Sequence, residues 1–168
     1  MKRNQFIKSV GVGSLLIPAI PLFSFTTYQD ENPQLDKKLV QEFVGKSHSD
    51  MDRVKELLEE HPTLLNAAHD WKFGDFETGL GAATHMGLKE LVKYFLEKGA
   101  QTNIFTATLF GRMDIVKPML DFSPISLHSK GPHGLTLLHH ANKGGDDALE
   151  VKEYLTSLGL KETQIALY

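Results

Sequence analysis

Residues 73–103 read FGDFETGLGAATHMGLKELVKYFLEKGAQTN, and the fold prediction starts from this stretch. Thr78 can cap a short helix of small and apolar side chains, and Gly87 interrupts the chain after it. In the helix that follows, apolar residues recur at helical spacing, while lysines and glutamates occupy the other side. Gly99 can adopt the left-handed conformation that ends this second helix. The stretch therefore predicts a helical hairpin with one apolar face, which must pack against a neighbour.

The same stretch resembles an ankyrin repeat, because residues typical of that family occur in order at the expected offsets. The matching positions are Thr78 for the Thr of the T-P-L-H start, Leu80 for its Leu, Ala82 and Ala83 for the small pair, Gly87 for the central glycine, Leu91 and Val92 for the second helix, Gly99-Ala100 for the closing turn, and Asn103 for the late Asn. The resemblance implies a stack of two-helix repeats that binds other proteins.

Further copies occupy the rest of the chain after a short N-terminal region. One begins near Gly131, where Thr136, Leu138 and Gly145 each follow their counterparts by 58 residues, and two weaker copies lie before and after residues 73–103. Three or more such units are usually needed to bury a shared core. We therefore predict an all-α ankyrin-repeat solenoid of about four helix-turn-helix repeats, at about 35–72, 73–103, 104–130 and 131–168.

Three local features qualify this pattern. Ser49 is a candidate cap for the second helix of the first repeat, which Pro62 stops. Pro118 falls inside a predicted helix, where proline removes a backbone donor, so that helix should be short or bent. Gly111 follows Gly87 by only 24 residues, so we expect no protruding loop between the second and third repeats.

The N-terminal region has the layout of an export signal. Lys2, Arg3 and Lys8 precede an uncharged apolar run from Val10 to Phe25. We predict a signal peptide over 1–28, a linker over 29–34 and a periplasmic location; the alternatives are an uncleaved membrane anchor and a buried first helix. The segment 3–8 resembles the twin-arginine motif with Asn4 in place of the second Arg, so the export route stays open.

Composition excludes several classes of function. The chain has no cysteine, which excludes disulfides, thiolate metal sites and thiol nucleophiles. Residues 1–28 hold three of the 18 basic residues and none of the 21 acidic ones, which leaves 15 basic against 21 acidic, a net charge of −6. A domain with this net negative charge lacks the basic surface that nucleic acids and anionic lipids require. We expect a protein partner, no nucleic acid, and membrane contact only through an uncleaved N-terminus.

The loop at 70–76 is the predicted partner-binding element, because ankyrin proteins project a hairpin at this position and three aromatic residues lie in it. Exposed aromatic residues on a rigid loop make good anchors for a partner; the alternative is that these rings only cover the helix ends. The candidate contact residues are Asp70, Trp71, Phe73, Asp75 and Phe76 in the loop, with His85, Met86, Arg112 and His133 beside it. We expect a monomer that acts as a non-enzymatic scaffold.

Two rival functions remain open. A metal site, or a metal-dependent hydrolase, could use histidines of the C-terminal part of the chain with nearby acids, although no H-E-x-x-H pattern is present. The candidates are His128, His133, His139, His140 and Asp146-Asp147. A small ligand could bind between His85 and the loop around Trp71. His69, Asp70, Glu77 and His85 could form an acid–base set, but no nucleophile motif accompanies them. We therefore predict no catalytic residue, no metal and no cofactor.

Overall fold

The computed structural model describes residues 33–168, and the predicted signal peptide, with most of the linker, lies outside that range. The described part is mostly helical, in agreement with the all-α part of the prediction. Its eight α-helices are α1 (Lys37–Lys46), α2 (Met51–Glu60), α3 (Gly79–Met86), α4 (Lys89–Glu97), α5 (Ile104–Leu109), α6 (Met113–Phe122), α7 (Leu137–Gly144) and α8 (Leu149–Ser157). A two-stranded antiparallel sheet, β1 (Ala68–Asp70) and β2 (Phe76–Thr78), precedes α3. Over the described residues, none of these helices has the length and apolarity that a membrane span requires.

The helices form four consecutive pairs, α1–α2, α3–α4, α5–α6 and α7–α8, and the first helices of successive pairs also contact one another. Two apolar clusters lie between them. One joins the first two pairs, where the rings of Phe43 and Phe95 meet edge to face at 5.9 Å between centroids. The other joins the last two pairs around Leu137 and Leu155. Burial of the apolar helix faces against neighbouring helices thus stabilises the stack.

The predicted helix boundaries around α3 and α4 are confirmed. Thr78 Oγ1 accepts a hydrogen bond from the backbone N–H of Gly81 at 3.0 Å and so caps α3. Gly87 follows α3 with φ 79°, and Gly99 follows α4 with φ 89°. Both are left-handed conformations that glycine adopts without the steric penalty of a side chain.

Two local predictions need correction. The cap of α2 is Asp50 instead of Ser49: Asp50 Oδ1 accepts from the N–H of Arg53 at 3.1 Å, whereas Ser49 belongs to the turn that leaves α1. Pro118 does not shorten α6, which runs for 10 residues through it. Pro118 and Asp114, one turn earlier, are both exposed, so water can bond the carbonyl that the proline leaves without a donor, which limits the cost. The prediction that no loop protrudes between α4 and α5 is confirmed, because no strand lies between these two helices.

The start of α3 lies unusually close to α1. A Cβ on Gly79 would come within 2.8 Å of both Phe43 Cε1 and Ser47 Oγ, so only glycine fits this contact without a shift. Strand β1 also packs on α1, so the two-stranded sheet lies against the same helix as the start of α3. This arrangement places the hairpin formed by β1, β2 and their connecting turn, hereafter the hairpin, directly over the ends of α1 and α3.

Candidate functional site

A buried polar cluster lies where the hairpin meets the helices. It consists of Glu77 on β2, His85 in the last turn of α3, His48 in the turn after α1, and His133 in the turn before α7. One nitrogen or oxygen from each of these four residues lies within 4.8 Å of the others. We call these four residues the His48–His133 cluster. They come from separate segments of the chain, and the stacking of the helix pairs brings them together.

The alternation of side chains along β2 separates two surfaces of the hairpin. Successive strand residues point to opposite faces. Asp75 and Glu77 therefore point inward and are only 7% and 1% exposed, whereas Phe76 between them is 62% exposed. The hairpin thus has an acidic inner face against the helices and an aromatic outer face.

Glu77 is at the centre of the cluster. Trp71 Nε1 donates a hydrogen bond to Glu77 Oε2 at 2.8 Å. The same oxygen lies 3.3 Å from His48 Nε2 and 3.5 Å from His133 Nε2. Glu77 Oε1 lies 2.9 Å from His85 Nδ1. That last pair is not aligned for a hydrogen bond, and neither atom has another hydrogen-bond partner among the described residues.

The electrostatics of the cluster favour an ionised Glu77. Burial alone would raise the pKa of Glu77, because a buried carboxylate loses its solvation. The side chains of His48, His85 and Trp71 outweigh burial and lower that pKa to about 2. Contact with Glu77 likewise raises the pKa of His48, against the opposing effect of its partial burial. The cluster therefore favours a buried negative charge on Glu77 beside a positive charge on His48.

The outward-facing nitrogens of two histidines have fixed partners. His48 Nδ1 lies 3.0 Å from the carbonyl oxygen of Val44 and 3.2 Å from that of Gly45. His133 Nδ1 lies 2.8 Å from Asp75 Oδ2. Carbonyl and carboxylate oxygens only accept, so each Nδ1 carries the proton and each Nε2 faces Glu77.

The predicted partner-binding residues divide into three groups by burial. Asp70, Phe73, Phe76, Met86 and Arg112 are exposed, and Trp71 and His133 are half-buried. Asp75 and His85 are buried, so the expectation that they contribute to an exposed contact surface is wrong. Strand alternation turns Asp75 inward toward His133, and His85 packs against Glu77.

The residues considered as candidate metal ligands are largely dispersed. Of that set only His133 belongs to the cluster. His139 donates through Nε2 to the carbonyl oxygen of His85 at 2.9 Å, and His140 donates through Nδ1 to the carbonyl oxygen of Thr136 at 2.7 Å. Asp147 pairs with Lys89 at 2.6 Å. The space between His85 and Trp71, where a small ligand was considered, contains the carboxylate of Glu77.

Sequence reasoning missed His48 entirely and considered Glu77 only as part of an acid–base set. Strand alternation around Asp75, Phe76 and Glu77 was a usable signal, since it predicts an inward-facing acid pair. No local pattern marks His48, which lies 29 residues before Glu77. No family model matches this chain, and no curated protein matches it either.

Proposed function

We propose that this chain is a small ankyrin-type repeat scaffold, exported to the bacterial periplasm, that binds a protein partner and catalyses no reaction. The four successive helix pairs support the repeat architecture. The capped start of α3 and the left-handed glycines after α3 and α4 support it further. A repeat stack offers an extended surface for a partner, and the hairpin stands at its edge.

The observation that carries the proposal is the exposure of Phe73 in a strained turn. Phe73 is 84% exposed at the hairpin tip and has φ 52°, followed by Gly74 with φ 84°. Positive φ at both central residues is the pattern of a type I′ turn, which favours Asn, Asp and Gly. A bulky residue in that conformation costs energy, and an exposed ring gains little burial in return. A role in recognition accounts for a phenylalanine here.

The hairpin presents this ring on a fixed support. Asp70 Oδ1 accepts the backbone N–H of Gly74 at 3.1 Å, which closes the turn. The backbone N–H of Trp71 donates to the carbonyl oxygen of Asp75 at 3.1 Å. On the inner face, Asp75 and Glu77 are bonded to His133 and Trp71. A preformed loop loses less conformational entropy on binding, which favours affinity.

The surroundings of Phe73 indicate the chemistry of the partner. The ring of Tyr168 lies 5.8 Å from that of Phe73, and Phe76 extends the aromatic surface along β2. The residues after position 28 carry a net charge of −6. A matching partner surface is apolar at its centre and neutral or basic around it, because acidic surroundings would be repelled.

The test is affinity capture from a periplasmic extract, followed by titration of each captured protein after purification. The test variant is Phe73→Ala with Phe76→Ala. Phe122→Ala is the matched control, because Phe122 is 92% exposed at the end of α6, outside the hairpin. Trp71 is left unchanged, since its hydrogen bond to Glu77 stabilises the hairpin base.

We expect the double variant to lose at least tenfold in affinity for the captured protein, while the Phe122→Ala control binds as the wild type does. Unfolding curves should be the same for all three proteins, because the replaced rings are exposed. Equal binding by the double variant and the wild type would exclude the hairpin as the contact surface.

A further inference from the structure

The His48–His133 cluster has a further property that partner binding does not use. Three imidazoles converge on one buried carboxylate, and the inward atoms are His48 Nε2, His85 Nδ1, His133 Nε2 and the oxygens of Glu77. We propose that these four residues bind one divalent transition-metal ion of the zinc class. This site differs from the metal site considered from the sequence, because the two sets of candidate ligands have only His133 in common.

The separations suit a four-coordinate site. Zinc binds imidazole nitrogen and carboxylate oxygen at about 2.0–2.2 Å, so the ligand atoms of a tetrahedral site lie about 3.3 Å apart. The three measured distances from Glu77 oxygens to histidine nitrogens are 2.9, 3.3 and 3.5 Å. All four ligand atoms already lie within 4.8 Å of one another. Small side-chain adjustments would bring them to the separations of a tetrahedral site.

The hydrogen bonds of the outer ring nitrogens leave the inward Nε2 atoms of His48 and His133 available to a metal ion. Because Nδ1 of His48 and of His133 each donate outward, each ring in its neutral form presents a lone pair at Nε2 toward Glu77 Oε2. Two acceptors that face each other at 3.3–3.5 Å repel unless a proton or a metal ion lies between them. A single metal ion would satisfy both nitrogens and the carboxylate at the same time.

A second observation is independent of those tautomers. Glu77 Oε1 and His85 Nδ1 are buried atoms without a hydrogen-bond partner among the described residues, although they lie 2.9 Å apart. A buried polar atom that lacks a partner destabilises the fold, because it loses its hydrogen bonds to water without replacement. Coordination of both atoms to one ion removes that cost.

The residues around the ligands match the usual surroundings of a histidine metal site. Metal-bound histidines normally donate their other ring N–H to a carboxylate or a backbone carbonyl. His133 donates to Asp75, and His48 donates to backbone carbonyls. Trp71 donates to the Glu77 carboxylate and orients it.

Charge and access also fit a divalent ion. The carboxylates of Glu77 and Asp75 together balance two positive charges. The side chains of His48 and His133 remain 25% and 34% exposed, which leaves a path from solvent, while Glu77 is fully buried. Three imidazoles favour zinc, copper, nickel or cobalt over calcium and magnesium, which prefer oxygen ligands.

The test measures zinc binding to the full chain after treatment with a chelator. Isothermal titration with Zn²⁺ gives stoichiometry and affinity, and Ca²⁺ and Mg²⁺ serve as comparison ions. Glu77→Gln keeps an acceptor for Trp71 but removes the charge. His133→Asn tolerates the left-handed backbone and can still donate to Asp75. His61→Ala is the matched control, because His61 is an exposed histidine at the end of α2.

We expect one Zn²⁺ per chain for the wild type and for His61→Ala, and no measurable Ca²⁺ or Mg²⁺ binding. Glu77→Gln and His133→Asn should each weaken zinc binding by more than about 100-fold, since each removes a ligand. Zinc should raise the melting temperature of the wild type and of His61→Ala, and should raise it less in the two ligand variants.

Three results would overturn the proposal. The first is the absence of zinc binding to the wild-type chain. This result would count against the proposal even if both variants failed to fold. The second is a zinc affinity that neither ligand variant changes. The third is an affinity that His61→Ala lowers as much as His133→Asn does, because surface histidines would then account for the binding. The assay needs no partner protein, so its result is independent of the scaffold proposal.

Discussion

Asp75 holds His133 through two hydrogen bonds, one to the backbone and one to the ring. Asp75 Oδ1 accepts the backbone N–H of His133 and Asp75 Oδ2 accepts the ring Nδ1–H, both at 2.8 Å. His133 has φ 59°, a left-handed conformation that costs a non-glycine residue about 1–2 kcal/mol. Hydrogen bonds to a charged acceptor contribute about 1.5–3 kcal/mol each and offset that cost. The pair therefore ties the hairpin to the turn before α7.

The first prediction concerns the stability that this pair supplies. Asp75→Ala removes both bonds and leaves the strained backbone of His133 unsupported, so we expect a loss of about 3 kcal/mol in the free energy of unfolding. Urea denaturation measures it. Asp121→Ala is the control, because Asp121 forms an exposed i,i+4 pair with Lys117. It should cost less than about 0.5 kcal/mol, and equal losses for the two variants would contradict the role given to Asp75.

The second prediction concerns zinc affinity. Asp75→Asn keeps the size of the side chain but removes the charge that fixes the His133 tautomer. We expect zinc to bind about 10–100-fold more weakly with an unchanged stoichiometry of one ion, since Asp75 orients a ligand without being one. Titration calorimetry measures both quantities. Asp70→Asn on the same hairpin is the control, and an affinity unchanged in Asp75→Asn would show that Asp75 has no positioning role.

The third prediction compares two glycines of α3. Gly79→Ala places a methyl group 2.8 Å from Phe43 Cε1 and Ser47 Oγ, so we expect a loss of about 1–3 kcal/mol from overpacking. At Gly81 the nearest atom to an added Cβ is Thr78 Oγ1 at 3.4 Å. Gly81→Ala should be neutral or stabilise by about 0.5 kcal/mol, because alanine favours helix. Thermal unfolding of the two variants distinguishes these outcomes, and the reverse order would refute the close α1–α3 contact.

The fourth prediction concerns pH. Burial lowers the pKa of His140 to about 4, although its hydrogen bond to the Thr136 carbonyl oxygen opposes that change. In the unfolded chain His140 is protonated as the pH falls through about 6.5, whereas in the folded chain it is protonated only near pH 4. The stability that the neutral, buried His140 contributes is therefore complete above pH 6.5 and is lost progressively as the pH falls to about 4. The loss amounts to about 3 kcal/mol.

His140→Asn provides the matched comparison for pH, since its amide can still donate to Thr136. The groups around His140 are the ring of Phe105 at 4.8 Å and the imidazole of His139 at 5.3 Å between centroids. We expect the stability difference between wild type and variant to shrink as the pH is lowered from 7 to 4 in urea titrations. A difference that stays constant over this range would mean that His140 does not titrate as proposed.

The helices and their ends could be read from short segments of the chain. The apolar spacing within α4 and the roles of Thr78, Gly87 and Gly99 depend on residues within one or two turns, so local pattern predicts them well. The cap of α2 was placed one residue early, because Ser49 and Asp50 are both good caps and only backbone geometry distinguishes them.

The candidate site could not be read in the same way. The adjacent His139 and His140 suggested a metal site, yet the ring of His139 bonds to the carbonyl oxygen of His85 on α3 and that of His140 to the carbonyl oxygen of Thr136, just before α7. The actual cluster joins His48 with His133, which are 85 residues apart in the chain. No periodicity relates residues at such a distance.

Amphipathic periodicity, capping residues and glycine positions were enough to predict a run of helix pairs and an aromatic hairpin tip, because each of these depends on interactions between near neighbours. The position of Glu77 among three histidines, and the burial of Asp75 and His85, depend instead on how those pairs pack. Burial makes the difference: a carboxylate in contact with water needs no particular partner, whereas one enclosed by packed helices must be satisfied by whatever side chains the stack brings to it.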